Sequence, residues 1–108
     1  MAEYVLSKSA DADLRNVYEY TLENWGIEQF HVYRKQIDDA LEKISKEPEL
    51  INSKAREDLA PGCRLYHVRH HYIVYRIGKQ CIEVGRILHE RMNVEKQVSD
   101  DTFSKTEP

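Results

Sequence analysis

The sequence predicts an α+β domain with the order β-α-α-β-β-β, an antiparallel sheet carrying a helical hairpin packed on one face. Three observations lead there. Apolar residues recur every three or four positions between Ala10 and Ile44, they alternate in twos between residues 63 and 88, and Gly or Pro marks each change of period. At 108 residues the chain can build one core of modest size and not two. A single domain over residues 1–98 is expected, followed by a flexible polar tail from Ser99 to Pro108.

The first element is a short strand at Tyr4-Val5-Leu6. Ser7 and Ser9 behind it are good helix N-cap types, and Asp11 and Asp13 suit the positive end of a helix. A stripe at Ala10, Leu14, Val17, Tyr18, Leu22 and Trp25 then defines one buried helix face, with Trp25 completing it, and Gly26 supplies the left-handed stop. A second stripe runs through Ile27, Phe30, Tyr33, Ile37, Leu41 and Ile44 until Pro48 closes it. The link at Asn24-Trp25-Gly26 is so short that the two helices must pack as an antiparallel pair.

Residues 48–62 read as a loop. Three strands follow at 63–68, 71–77 and 81–88, joined by Arg69-His70 and Gly78-Lys79-Gln80, connections short enough for an antiparallel meander. In the last strand Ile82, Val84 and Leu88 alternate with Glu83, Gly85 and Ile87. Both sheet faces therefore carry apolar side chains, and the helices can cover one. The other, with its arginines and tyrosines, is expected to stay free for a partner.

Composition narrows the function. Hydrophobic residues at 41% and charged residues at 32% belong to an ordinary globular protein, and no apolar run approaches the roughly 18 residues of a membrane span. The start Met1-Ala2-Glu3-Tyr4 lacks the basic and apolar regions of a secretory signal, so a cytoplasmic location is expected. Cys63 and Cys81 stand apart without metal or redox spacing; both are expected to be reduced, a single disulfide remaining open if neighbouring strands bring them together. No metal or cofactor motif is present: there is no phosphate-cradling glycine loop, no helical His-Glu-x-x-His and no serine elbow.

Charge is unevenly spread. Residues 1–62 carry 8 Lys/Arg against 13 Asp/Glu, whereas residues 63–92 carry 6 against 2, along with His67, His70, His71 and His89. A net charge of −3 argues against an affinity built on many phosphate contacts. The basic cluster could still serve chemistry. RNA cleavage through the 2′-hydroxyl needs a base, an acid and cations beside the phosphate, which His89, Arg64, Arg86 and Arg91 could supply. The simpler reading is that these arginines bind a carboxylate-rich protein surface.

Three stretches resemble the ParE branch of the ParE/RelE toxin superfamily: YVLSKSADADLRNVYEYTLENWGIEQFHVYRKQI, PGCRLYHVRHHYIVYRI and IEVGRILHERMN. They keep the family's order, and the terminal Arg86-Ile87-Leu88-His89-x-Arg91-Met92 is the most distinctive part. Asn93, where an acidic residue commonly follows the methionine, and the pair His70-His71 depart from the pattern. The resemblance implies a toxin that inhibits DNA gyrase without being an enzyme, acting through Arg86, His89, Arg91 and Met92. It also implies a hetero-oligomer with a ParD-like antitoxin, whose acidic, partly apolar segment is expected to meet Arg64, Tyr66, Tyr75 and Arg76. No sequence-specific nucleic acid binding and no membrane partner are expected. The RelE branch, which cleaves messenger RNA on the ribosome, tends to carry more lysines on the sheet; here only Lys79 is a lysine among residues 63–92.

Overall fold

A computed structural model describes residues 3–103. Its elements are β1 (Tyr4–Leu6), α1 (Lys8–Lys46), β2 (Ser53–Ala55), β3 (Cys63–Val68), β4 (His71–Ile77), β5 (Ile82–His89), the single-turn α2 (Val94–Gln97) and a 3-10 turn, Asp100–Phe103. Five strands form one sheet in the order β1-β5-β4-β3-β2. Among the described residues no helix is long and apolar enough to cross a membrane.

The α+β class agrees with the sequence reading, and so does the order of elements apart from β2, a fourth antiparallel strand within the stretch read as a loop; the sheet as a whole is mixed. β1 lies parallel to β5, Val5 opposite Glu83, while the other pairs are antiparallel. Parallel neighbours need a long crossover, and α1 together with β2, β3 and β4 supplies it. Ser7 secures the junction: its hydroxyl accepts from the Ala10 N–H at 3.0 Å as N-cap and donates to the Gly85 carbonyl at 2.7 Å.

The helical hairpin is present within α1. Its 39 residues would stretch to about 58 Å as one rod, but the longest dimension of the molecule is 38 Å. The fold-back is at Gly26, with φ 87° and ψ 175°, a backbone that favours glycine. On either side of it Tyr18 and Phe30 meet edge to face at 5.5 Å. The first stripe leaves the core earlier than expected. Ala10 is fully buried, whereas Leu22 and Trp25 are exposed, because the tip of the hairpin is not covered by the sheet. Ile27 is exposed for the same reason, while Tyr33, Ile37, Leu41 and Ile44 pack onto Ile73, Tyr75, Ile82, Val84 and Ile87.

Alternation along β5 is broken. Val74 pairs with Arg86 but Tyr75 pairs with Val84, so Gly85 is the surplus residue of a β-bulge. Past it the phase inverts: Ile87 joins Ile82 and Val84 under the helices, and Leu88 turns to the opposite face. Unbroken alternation gave the reverse.

The largest correction concerns that opposite face, which is not free. Leu59 and Ala60 from the loop, and Val94, Val98 and Phe103 from the C-terminal segment, pack there against Cys63, Leu65, Val74 and Leu88. The segment expected as a polar tail thus begins with an ordered turn whose Phe103 is 2% exposed; residues 104–108 lie outside the described residues. Burying such an aromatic ring removes enough apolar surface to contribute about 2 kcal/mol. Gly85 permits the close approach, since a Cβ there would stand 2.5 Å from Thr102 Cγ2 and 2.8 Å from Phe103 Cε1. Both cysteines are free thiols, and burial pushes that of Cys63 up to about 11.

Candidate functional site

With one sheet face under the helices and the other under the chain's own C-terminal segment, a concavity remains at the side. A groove of about 970 Å³ runs between the first half of α1 and the end of β5. Asp13, Val17, Tyr20 and Thr21 recur at helical spacing and form one wall, with Trp25 and Gln29 at the hairpin tip. Arg86, Ile87, His89 and Met92 form the facing wall, and Tyr33, His71 and Arg69 close its end. Tyr20 and Trp25 expose 62% and 68% of their surface, so large rings stand open to solvent beside this hollow.

Arg86 is held in place within it. Its Nε donates to Asp13 Oδ2 at 2.7 Å and its Nη2 to Oδ1 at 3.0 Å, a bidentate pair that raises the guanidinium pKa. Asp13 Oδ2 also accepts the Ile87 N–H at 3.0 Å. One helix carboxylate therefore neutralises the arginine and ties α1 to the strand just past the bulge.

The histidines differ in their surroundings. Burial, and next the proximity of His89, pushes the pKa of His71 down to about 4, so at neutral pH its ring is uncharged. Its Nδ1 shares a hydrogen bond with the Tyr33 hydroxyl, and its ring lies edge-on to His89 at 5.1 Å. His89 Nδ1 accepts the Arg91 N–H at 3.1 Å. Glu90 bridges His67 Nε2 at 2.9 Å and the groove-lining His70 Nδ1 at 3.0 Å, and those contacts, that of His70 first, hold its carboxyl below the ordinary range.

Of the residues singled out from the sequence, Arg86, His89 and Met92 share the groove, while Arg91 is exposed and does not line it. Arg64, Tyr66, Tyr75 and Arg76 do not form an open face. Tyr75 is completely buried, its hydroxyl bonded to the Pro48 carbonyl and Ser53. Arg64 donates to Ser53 Oγ at 2.9 Å and to the Ser53 carbonyl at 3.2 Å, and Tyr66 packs against the core under the helices. Arg76 bonds Glu83 at 2.6 Å and stacks 4.8 Å over the Phe103 ring on the far side of the sheet. Nor do His89, Arg64, Arg86 and Arg91 converge. Arg64 pairs across β3 and β4 with Tyr75, whereas His89 faces His71 and, beyond it, Val68. The four residues from Arg64 to Val68 alone put about 13 Å between those levels of the sheet.

Sequence reasoning missed Trp25 and Tyr20 as exposed groove residues, and Asp13 as the partner of Arg86. The helical spacing from Asp13 to Tyr20 was visible, but not the point at which the sheet ends beneath it.

A family model described as the ParE toxin of type II toxin-antitoxin systems, parDE, matches residues 4–94. Toxin ParE1 of Mycobacterium tuberculosis is 30% identical over 98 residues, 90% of this chain and 98% of that protein. Toxin ParE1 of Caulobacter vibrioides is 33% identical over 93 residues, 86% of this chain and 94% of that protein. A solved structure of the chromosomal ParDE toxin-antitoxin system from P. aeruginosa shares the fold, with a TM-score of 0.67 at 18% identity over 82% of this chain and 96% of the other.

Proposed function

The chain belongs to the ParE family of toxins from type II toxin-antitoxin systems, and from that premise we propose that it inhibits DNA gyrase in the bacterial cytoplasm until a ParD-like antitoxin occupies its groove. The observation that carries this reading is the character of the groove: exposed Trp25, Tyr20 and Met92 beside basic and imidazole groups, the lining of a protein-binding cleft. Arg86 is already paired with Asp13, and Arg64 with Ser53 and Glu49, so two of the four groups that phosphate chemistry would need are committed to the fold. Arg86, His89 and Met92, with Arg91 at the rim, are assigned to gyrase inhibition. The antitoxin is assigned to the same groove rather than to Arg64, Tyr66, Tyr75 and Arg76, which the fold occupies.

Adding the purified protein to gyrase and relaxed plasmid tests this. Supercoiling is expected to fail with accumulation of cleaved DNA, and the cognate antitoxin is expected to restore it. Unchanged supercoiling, together with discrete cuts in a message on translating ribosomes that vanish in His89→Ala, would transfer the protein to the ribonuclease branch.

A further inference from the structure

Arg69 stands out among the five arginines between residues 63 and 92. Arg64, Arg76 and Arg86 are bound to Glu49 and Ser53, to Glu83 and to Asp13, whereas Arg69 and Arg91 make no ion pair among the described residues, and of these two it is Arg69 that lines the groove. It is exposed and has the only positive φ outside glycine among the described residues, 55°. A two-residue turn between strands suits glycine or asparagine at such an angle, so an arginine there is disfavoured on conformational grounds alone. Its place is also particular. Arg69 lines the groove and, on its other side, a shallower hollow of about 370 Å³ between the second half of α1 and β3. In that hollow Gln36 Oε1 has no hydrogen-bond partner. The nearby carboxylates are engaged, Asp39 with Lys35 and Glu90 with His67 and His70. An uncompensated guanidinium therefore sits where two concavities meet.

We propose that Arg69 is the carboxylate anchor of the antitoxin segment: an extended peptide leaves the apolar groove, sets an Asp or Glu side chain against the guanidinium and continues into the hollow beside Gln36. This rests on the antitoxin reading above and adds the residue that fixes the segment's register. A carboxylate suits the planar fork of arginine, and the net charge of −3 argues against a nucleic acid strand as its source of anions.

The test uses the full-length protein and a synthetic peptide of the C-terminal half of the antitoxin encoded beside it. Arg69→Gly removes the guanidinium while relieving the backbone, so the melting temperature should hold or rise. Loss of a charged bidentate contact should then weaken peptide binding by about ten- to a hundredfold. Arg69→Lys should recover part of the affinity. Arg15→Ala, which removes an equal charge from an exposed site on α1, should stay within about twofold of the parent if steering is minor. Equal binding by Arg69→Gly overturns the anchor and leaves the antitoxin reading intact. Failure of the parent protein to bind the peptide overturns that reading itself. If Arg69→Gly instead loses affinity only for a short DNA duplex, the residue is a phosphate contact and the proposal falls.

Discussion

Asp13 and Arg86, 73 positions apart in sequence, meet in a bidentate ion pair at 2.7 and 3.0 Å whose side chains are about one-fifth exposed. Asp13 also receives the Ile87 N–H. Asp13→Ala would leave a partly buried guanidinium and a backbone donor without an acceptor. It is expected to lower the free energy of unfolding by about 2 to 4 kcal/mol. Urea denaturation of Asp13→Ala, Arg86→Ala and the double variant measures this, and a double variant as stable as the milder single one is the expected sign of coupling.

Phe103 and Gly85 form the other long-range lock. Phe103→Ala should cost about 3 kcal/mol by emptying the pocket over the sheet, and Gly85→Ala about 1 to 3 kcal/mol by forcing that ring away. Because both act on one contact, the pair together should lose less than the sum. Additive losses in a denaturation cycle would mean that the two residues do not communicate.

Acid should destabilise the protein through His71. Its folded pKa of about 4 lies below the ordinary 6.5, so the unfolded chain takes up a proton that the folded one refuses. The stabilisation from the neutral ring is complete above about pH 6.5 and is lost as pH falls toward 4. Glu90, held below its ordinary value, acts in the same direction in more acidic solution. His71→Gln is expected to flatten the dependence between pH 6.5 and 5, measured as the urea midpoint at each pH. An unchanged slope would place the titration elsewhere.

Trp25 separates stability from function. Its ring is two-thirds exposed, so Trp25→Ala should shift unfolding by no more than about 0.5 kcal/mol. As an aromatic anchor of the groove it should nevertheless weaken gyrase inhibition and antitoxin binding by 2 kcal/mol or more, about thirtyfold. A loss of stability without a loss of binding would return it to the core.

Gly26 has open space around its missing side chain, so any penalty for substitution is conformational. Gly26→Ala is expected to cost about 1 to 3 kcal/mol, because a φ of 87° combined with a ψ of 175° is open essentially to glycine. Gly26→Asn should fare no better on thermal melting, because asparagine tolerates the left-handed helical region but not a ψ of 175°.

Much of this architecture was legible from periodicity. The stripe from Phe30 to Ile44 and the meander from Cys63 to His89 are where repeat spacing put them, since each buries one regular face. The parts that were not legible lack a local signature. β2 is three residues of mixed polarity that exist only by pairing with β3. The bulge at Gly85 reverses the inside and outside of β5 without altering its composition. Phe103 lies in a polar stretch, and nothing near it in sequence reveals the pocket it fills. Of the groove lining, Arg86, His89 and Met92 were legible because they cluster in sequence. Trp25 was given to the core because a helix stripe does not disclose where its support ends.

The order in which the strands lie also sets a timetable. β5 sits between β1 and β4, and the groove's two walls come from residues 13–29 and 86–92. A ribosome must therefore deliver nearly ninety residues before the second wall can dock against the first. Until then Trp25 and Tyr20 face no counterpart, and a nascent or truncated chain that stops short of β5 carries the hairpin but no cleft.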